Sequence, residues 1–197
     1  MRLTLPSPLL SSHSHFHTCK YIKSKGSIDR HNLVLTCLKN IAEKAGLSCI
    51  VEPRSYVPLT KERPDLLLHG TFAPISVDVV ITHPCSLTAI FTRSAHLAPC
   101  ASAIAAEQRK LNNASYISAA ALRGHRFIPF ALEAHGALSP RARDLLKIIS
   151  IHAVSNNRTL SEREFFQYAV NAISCSLQSG NAILSFNCLS ACAQVRR

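Results

Sequence analysis

Arg63 to Pro84 reads RPDLLLHGTFAPISVDVVITHP, and the fold follows from how this stretch is read. Two short apolar runs, Asp65–His69 and Ile75–Thr82, are separated by a turn containing Gly70 and Pro74. Runs of this length between glycine and proline suit strands better than helices, and Val77, Val79, Val80 and Ile81 are β-branched. Each run carries one carboxylate: Asp65, directly after Pro64, and Asp78. A carboxylate in an apolar strand is costly unless it is paired or holds a cation. Two of them on neighbouring strands could face each other and chelate a hard divalent ion such as Mg²⁺ through oxygen. A second reading is open on these residues alone, in which Asp65 caps a turn and Asp78 pairs with a nearby arginine.

Outward from this pair, Leu47–Glu52 reads as a preceding strand, and Pro53, Pro58 and Pro64 bar regular structure in between. Further upstream, Leu33, Val34, Cys37, Leu38, Ile41 and Ala45 make one apolar face of a helix over Ser27–Ala45. Ser27 or Asp29 is its expected N-cap and Gly46 its stop. Downstream, one alanine-rich helix over Ala101–Ala121 carries Glu107, Gln108, Arg109, Lys110 and Tyr116. Phe127–Ala134 returns as a strand, and Ser139-Pro140 opens a helix that runs to about His152. Ser161-Glu-Arg-Glu164 opens another as a capping box, and the apolar end beyond Gly180 is ambiguous. The fold class expected is α/β (α+β): a mixed central sheet of about four strands flanked by helices, with a C-terminal helical extension. The expected division is a basic leader over 1–26, a main domain over 27–152 and the extension over 153–197.

A chain of 197 residues suits one domain of ordinary size, and 47% hydrophobic residues exclude wholesale disorder. Lys and Arg number 22 against 11 Asp and Glu, an excess that points to a polyanionic partner, nucleic acid before a membrane surface. No run approaches the ~18 apolar residues that span a bilayer. The eight cysteines form no CxxC pair and mostly sit in apolar stretches, as free thiols of a reducing compartment do. That composition predicts an intracellular, non-secreted protein. Residues 1–26 hold no acidic residue and are rich in serine, the composition of a transit peptide or a disordered basic leader. Within them His13, His15, His17 and Cys19 alternate, a spacing that matches no closed zinc site, so a solvated tail is expected.

A series of short motifs runs through the chain: RHN at 30–32, AG at 45–46, VEP at 51–53, RPDLLL at 63–68 and VDVVITHP at 77–84. AEQRK…Y at 106–116, FIPFALEAHG at 127–136 and NAISCSLQSGNA at 171–182 complete it. As an ordered set over about residues 19–185, they resemble the restriction-endonuclease-like, PD-(D/E)xK, domain at the C-terminal end of non-long-terminal-repeat retrotransposon reverse transcriptases. The resemblance implies a DNA endonuclease that uses Mg²⁺ or Mn²⁺ and nicks target DNA to expose a 3′-OH for target-primed reverse transcription. It implies that Asp65 and Asp78 hold the metal and that nuclear DNA and a polymerase domain of the parent element are partners.

One element departs from the signature: two residues after Asp78 stands Val80, not lysine. Lys110, on the following helix, is the substitute candidate for the catalytic lysine, with Arg109 beside it. Arg30, His31, Lys61, Arg63 and Arg109 are the expected DNA phosphate contacts, the sequence-independent part of binding. Glu52 reads as a strand-end charge before a third ligand, Glu133 as an edge residue or partner of Arg126 as readily as a base, and Tyr116 as packing. Val80 in the lysine position, and a Cys/His leader that resembles a degraded form of the zinc knuckle such proteins often carry just upstream, leave an alternative open, a catalytically inactive nucleic-acid-binding remnant of the same fold.

Overall fold

A computed structural model of the protein describes residues 25–54, 56, 63–84, 100–159 and 161–195. In chain order the elements are α1 (Lys25–Lys44), β1 (Ser48–Val51), β2 (Leu66–His69) and β3 (Ile75–Thr82). They continue with α2 (Ala101–Leu111), α3 (Ala114–Leu122), β4 (Arg126–Glu133), α4 (Pro140–Ser155) and α5 (Glu162–Val195). The four strands form one mixed sheet in the order β1-β2-β3-β4, the first three antiparallel and β4 parallel to β3. A parallel partner needs a crossover, which α2 and α3 supply.

The alternation of side chains along the strands divides the molecule into layers. Leu66, Leu68, Ile75, Val77, Val79, Ile128, Phe130 and Leu132 face one way, into a core closed by α1, α4 and α5. The opposite face takes α2 and α3: Ala103 and Ala106 pack on Ala131 and Val80, and Tyr116 and Ala120 pack on Phe127. Phe165, Ala169, Ile173 and Leu177 of α5 belong to the first core, so this helix is packed into the domain's centre.

Three local outcomes differ from expectation. First, α1 begins by Lys25, which places Ser27 and Asp29 inside the helix and not at its cap. Its end is as expected: Gly46, at φ 92°, lets the Gly46 and Leu47 N–H groups return to the Glu43 and Ala42 carbonyls, a Schellman closure. Second, the alanine-rich segment is two helices, because Asn113 turns extended and its side chain caps α3 by accepting from Ser115 N at 3.1 Å. Third, α5 passes through Gly180 without a break. A Cβ there would meet Arg30 Cα at 2.9 Å, so the missing side chain is what lets α1 and α5 touch backbone to backbone.

The two edges of the sheet differ. β4 is buried from Phe127 onward, and the chain after it folds back along its outer side. There Glu133 N donates to Ala137 O at 2.8 Å and Ser139 N to Ala131 O at 2.9 Å. β1 ends the sheet on the other side with Ile50 and Val51 exposed, and among the described residues its outer edge pairs with no strand.

Candidate functional site

The β2–β3 register, carried one residue past Leu66↔Val77, sets Asp65 opposite Asp78. Since Val77 and Val79 face the main core, Asp78 turns to the α2 face. The backbone ladder between β2 and β3 stops at Leu66, and the Asp65 side chain takes over: its Oδ2 accepts the Val79 N–H at 2.6 Å. The same oxygen lies 3.1 Å from His31 Nε2 of α1. The other ring nitrogen of His31 lies 3.4 Å from Asn32 Oδ1, so both face oxygen. His31 is accordingly held above the usual histidine pKa, first by its hydrogen bond to Asp65 and against the pull of burial.

Asp78 is 5% exposed. Lys110 reaches down from the last turn of α2 and sets its Nζ 2.5 Å from Asp78 Oδ2. This buried oxygen has the ammonium as its close ionic partner. Burial above all, and then the negative charge of Asp65, push Asp78 up to about 6, while Lys110 pulls the other way.

The helix that carries Lys110 is fastened by two buried carboxylates. Glu133, at the end of β4, accepts from Ser102 N at 3.1 Å and Ser102 Oγ at 2.9 Å, which caps the start of α2. Its partner is therefore Ser102, not Arg126. Glu107, three residues before Lys110, accepts the Arg141 N–H at 3.1 Å in the first turn of α4, with Arg141 Nε 3.6 Å from its other oxygen. Anionic oxygens at helix N-termini satisfy open N–H groups and complement the dipole. Tyr116 stacks on Phe127 and donates from its hydroxyl to Arg63 O at 2.9 Å, fixing the backbone two residues before Asp65. Its ring centroid is 5.7 Å from Lys110 Nζ. Glu52 and Arg63 form an exposed ion pair, and Glu52 N donates to Asp65 O at 2.9 Å.

The fold thus brings together Asp65, Asp78, Lys110 and His31. Arg63 is exposed beside this group through its pairing with Glu52, and Arg109 is exposed at the end of α2. Arg30 is elsewhere: it is buried between helices, with Nη1 donating to Asn181 Oδ1 of α5 at 2.9 Å. Lys61, and His13, His15, His17 and Cys19 of the leader, lie outside the described residues. Val80 is half-buried against Ala103, Ala106 and Ala131. Among the described residues the cysteines are free thiols, Cys188 buried and Cys175 exposed.

No local signal joins His31 to Asp65, which lie 34 positions apart. The roles of Glu107 and Glu133 had one signal: each acidic side chain interrupts an apolar face, as Asp65 and Asp78 do.

The donor set suits one kind of ion. Among the described residues no group of three or more His, Cys, Asp or Glu side chains is arranged to hold a metal. Two facing carboxylates, one of them buried, are the oxygen donors of a hard cation that keeps waters and takes its remaining ligands from phosphate, as Mg²⁺ does. They do not fit a closed zinc site.

No protein-family model matches the chain. A stretch of 142 residues, 70% of the chain, is 31% identical to the 132 kDa protein of the retrotransposable element SLACS of Trypanosoma brucei gambiense. The chain spans 12% of the length of that relative. The protein is thus a distant homologue of a retrotransposable-element protein. No helix among the described residues is long and apolar enough to cross a membrane.

Proposed function

We propose that this chain is a divalent-metal-dependent DNA endonuclease domain of retroelement origin, which nicks target DNA to provide the 3′-OH for reverse transcription. The observation that carries the reading is Asp78: a buried carboxylate opposite a second one, with the Lys110 ammonium against its Oδ2. Distant homology to a retrotransposable-element protein supports the context, and an excess of basic residues supports a polyanionic substrate.

In this reading Asp65 and Asp78 would hold Mg²⁺ or Mn²⁺. Such an ion, when bound, lowers the pKa of its water and draws charge from the phosphate. The chain's own groups do the rest. His31 and the Val79 N–H fix Asp65 Oδ2, so this carboxylate is oriented before any ligand arrives. Lys110, on a helix fastened through Glu107 and Glu133, supplies a positive charge beside the carboxylates where charge builds up on phosphorus in the transition state. Arg63 and Arg109 offer exposed charge to the DNA backbone. Arg30, buried against α5, serves to join α1 to α5.

One observation favours the second reading, an inactive nucleic-acid-binding remnant. Lys110 Nζ on Asp78 and His31 Nε2 on Asp65 already partner both carboxylates from within the chain. Nicking of supercoiled plasmid separates the two. The expected outcome is open circles with Mg²⁺ or Mn²⁺, none with EDTA, and a loss of at least about 100-fold in Asp78→Ala, a drop of some 2.7 kcal/mol in transition-state stabilisation. Salt-dependent DNA binding without nicking under either metal would establish the remnant instead.

A further inference from the structure

Helices α1 and α5 run antiparallel, and two contacts fix their alignment. At one end Arg30 Nη1 donates to Asn181 Oδ1 at 2.9 Å, and at the other Lys44 Nζ lies 4.1 Å from the centre of the Tyr168 ring. Cys37 stands midway between Arg30 and Lys44, seven residues from each. Cys175 stands between the partners of those residues, seven from Tyr168 and six from Asn181. Seven residues are close to two helical turns, so each cysteine returns to the side of its helix that carries the contacts. The seam therefore sets Cys37 and Cys175 opposite each other.

The surroundings agree. A groove of about 370 Å³ between the helices is lined by Leu33, Cys37, Ile41, Tyr168 and Ser176, so the half-buried Cys37 thiol opens onto it. The Ser176 side chain hydrogen-bonds with that thiol, and Cys175, the preceding residue of α5, is among the groups whose charge is felt there. Cys175 itself is exposed. A disulfide needs Cα atoms about 4.4–6.8 Å apart, a span reached between facing positions of closely packed helices. Gly180 makes this helix pair a close one.

We propose that Cys37 and Cys175 are a thiol–disulfide exchange site, which a small organic disulfide such as oxidised glutathione converts into a covalent link between α1 and α5. The exposed Cys175 meets the oxidant first. Its thiolate attacks one sulfur of the glutathione disulfide, whose S–S bond breaks, and one glutathione thiolate leaves as the mixed disulfide forms. Cys37 then gives its proton to solvent and attacks Cys175 Sγ, expelling the second glutathione thiolate. Two cysteine thiols are oxidised and one glutathione disulfide is reduced to two thiols. Burial above all holds the Cys37 thiol above the usual cysteine pKa, so this second step quickens as pH rises. The finished bond ties α1, which carries His31, to α5. A link between positions so far apart in sequence stabilises the fold by restricting the unfolded chain. The site stands apart from the nuclease reading and does not depend on it.

The test is incubation of the full chain, under native conditions at pH 8.5, with oxidised glutathione, followed by alkylation and peptide mapping without reduction. The expected product is a peptide joined Cys37 to Cys175 within one chain, reopened by dithiothreitol. Its urea midpoint is expected to lie above that of the reduced protein. Cys37→Ser is expected to stop at a glutathione adduct on Cys175, and Cys175→Ser to leave Cys37 alkylatable with its urea midpoint unmoved by the oxidant. Circular dichroism confirms that each protein is folded. A folded wild type whose Cys37 remains alkylatable would overturn the site, whether Cys175 carries glutathione, pairs elsewhere or stays reduced. A link that lowered the urea midpoint would overturn it too, because the two positions would then not face each other in the native fold.

Discussion

Asp78 carries two opposed demands. A carboxyl raised to about 6 by burial is protonated more readily in the folded chain than in the unfolded one. The folded state therefore binds more protons between pH 3.8 and about 6, and stability falls as pH rises through that window. Above it the whole penalty is present, and below it none remains. Asp78→Asn in EDTA is thus expected to be more stable than wild type by up to about 3 kcal/mol at pH 7.5, with most of that difference gone near pH 4. Denaturant melts at the two pH values measure this, and a variant less stable than wild type at pH 7.5 would contradict it. At this scale the sequence was readable where chemistry clashed with its surroundings. Asp65 and Asp78 stand out because each breaks an apolar strand, and Lys110 because the strand offers Val80 in its place. Arg30 was not readable: an arginine in a basic chain looks like a solvated charge, and only the close approach of α5 reveals that it is buried.

At the scale of elements, α1 and α5 meet where Gly180 has no side chain. Gly180→Ala would drive a methyl group into the Arg30 backbone at 2.9 Å, and a well-packed interface has no slack to absorb it. The expected cost is about 1–3 kcal/mol, against the gain in helix propensity that alanine brings at an open site. Urea melts give the sign directly, and a stabilised variant would show that α1 and α5 separate easily. The same glycine explains why the C-terminal end was ambiguous in the sequence. A glycine in a helical pattern reads as a stop, and nothing local distinguishes a stop from a contact. The break between α2 and α3 had a local signal, since Asn112-Asn113 offers a cap in mid-run. The alanine-rich periodicity on both sides masked it. Strands β2 and β3 were the clearest, because proline, glycine and β-branched residues all agree there.

For the whole molecule, the layering sets what can be removed. The sequence suggested an extension from residue 153 onward, yet Phe165, Ala169, Ile173 and Leu177 lie in one core with the sheet, α1 and α4. Ending the chain at residue 159 would uncover that core face, and burying each such side chain is worth roughly 1.5–3 kcal/mol, more in sum than a typical domain has to spare. The truncated chain is expected to lose its cooperative unfolding transition in calorimetry. A sharp transition retained would mean that α5 is dispensable to the fold.

The two borders of the sheet also set a direction for growth. Beyond β4 the chain's own return over Ala137 and Ser139 uses the outward hydrogen-bonding groups, and Pro129 adds a position with no N–H to give. Beyond β1 no strand pairs among the described residues, and the side chains of Ile50 and Val51 are exposed. Among the described residues a strand that joins this sheet therefore docks at β1, and assembly through that edge gives a pair joined β1 to β1.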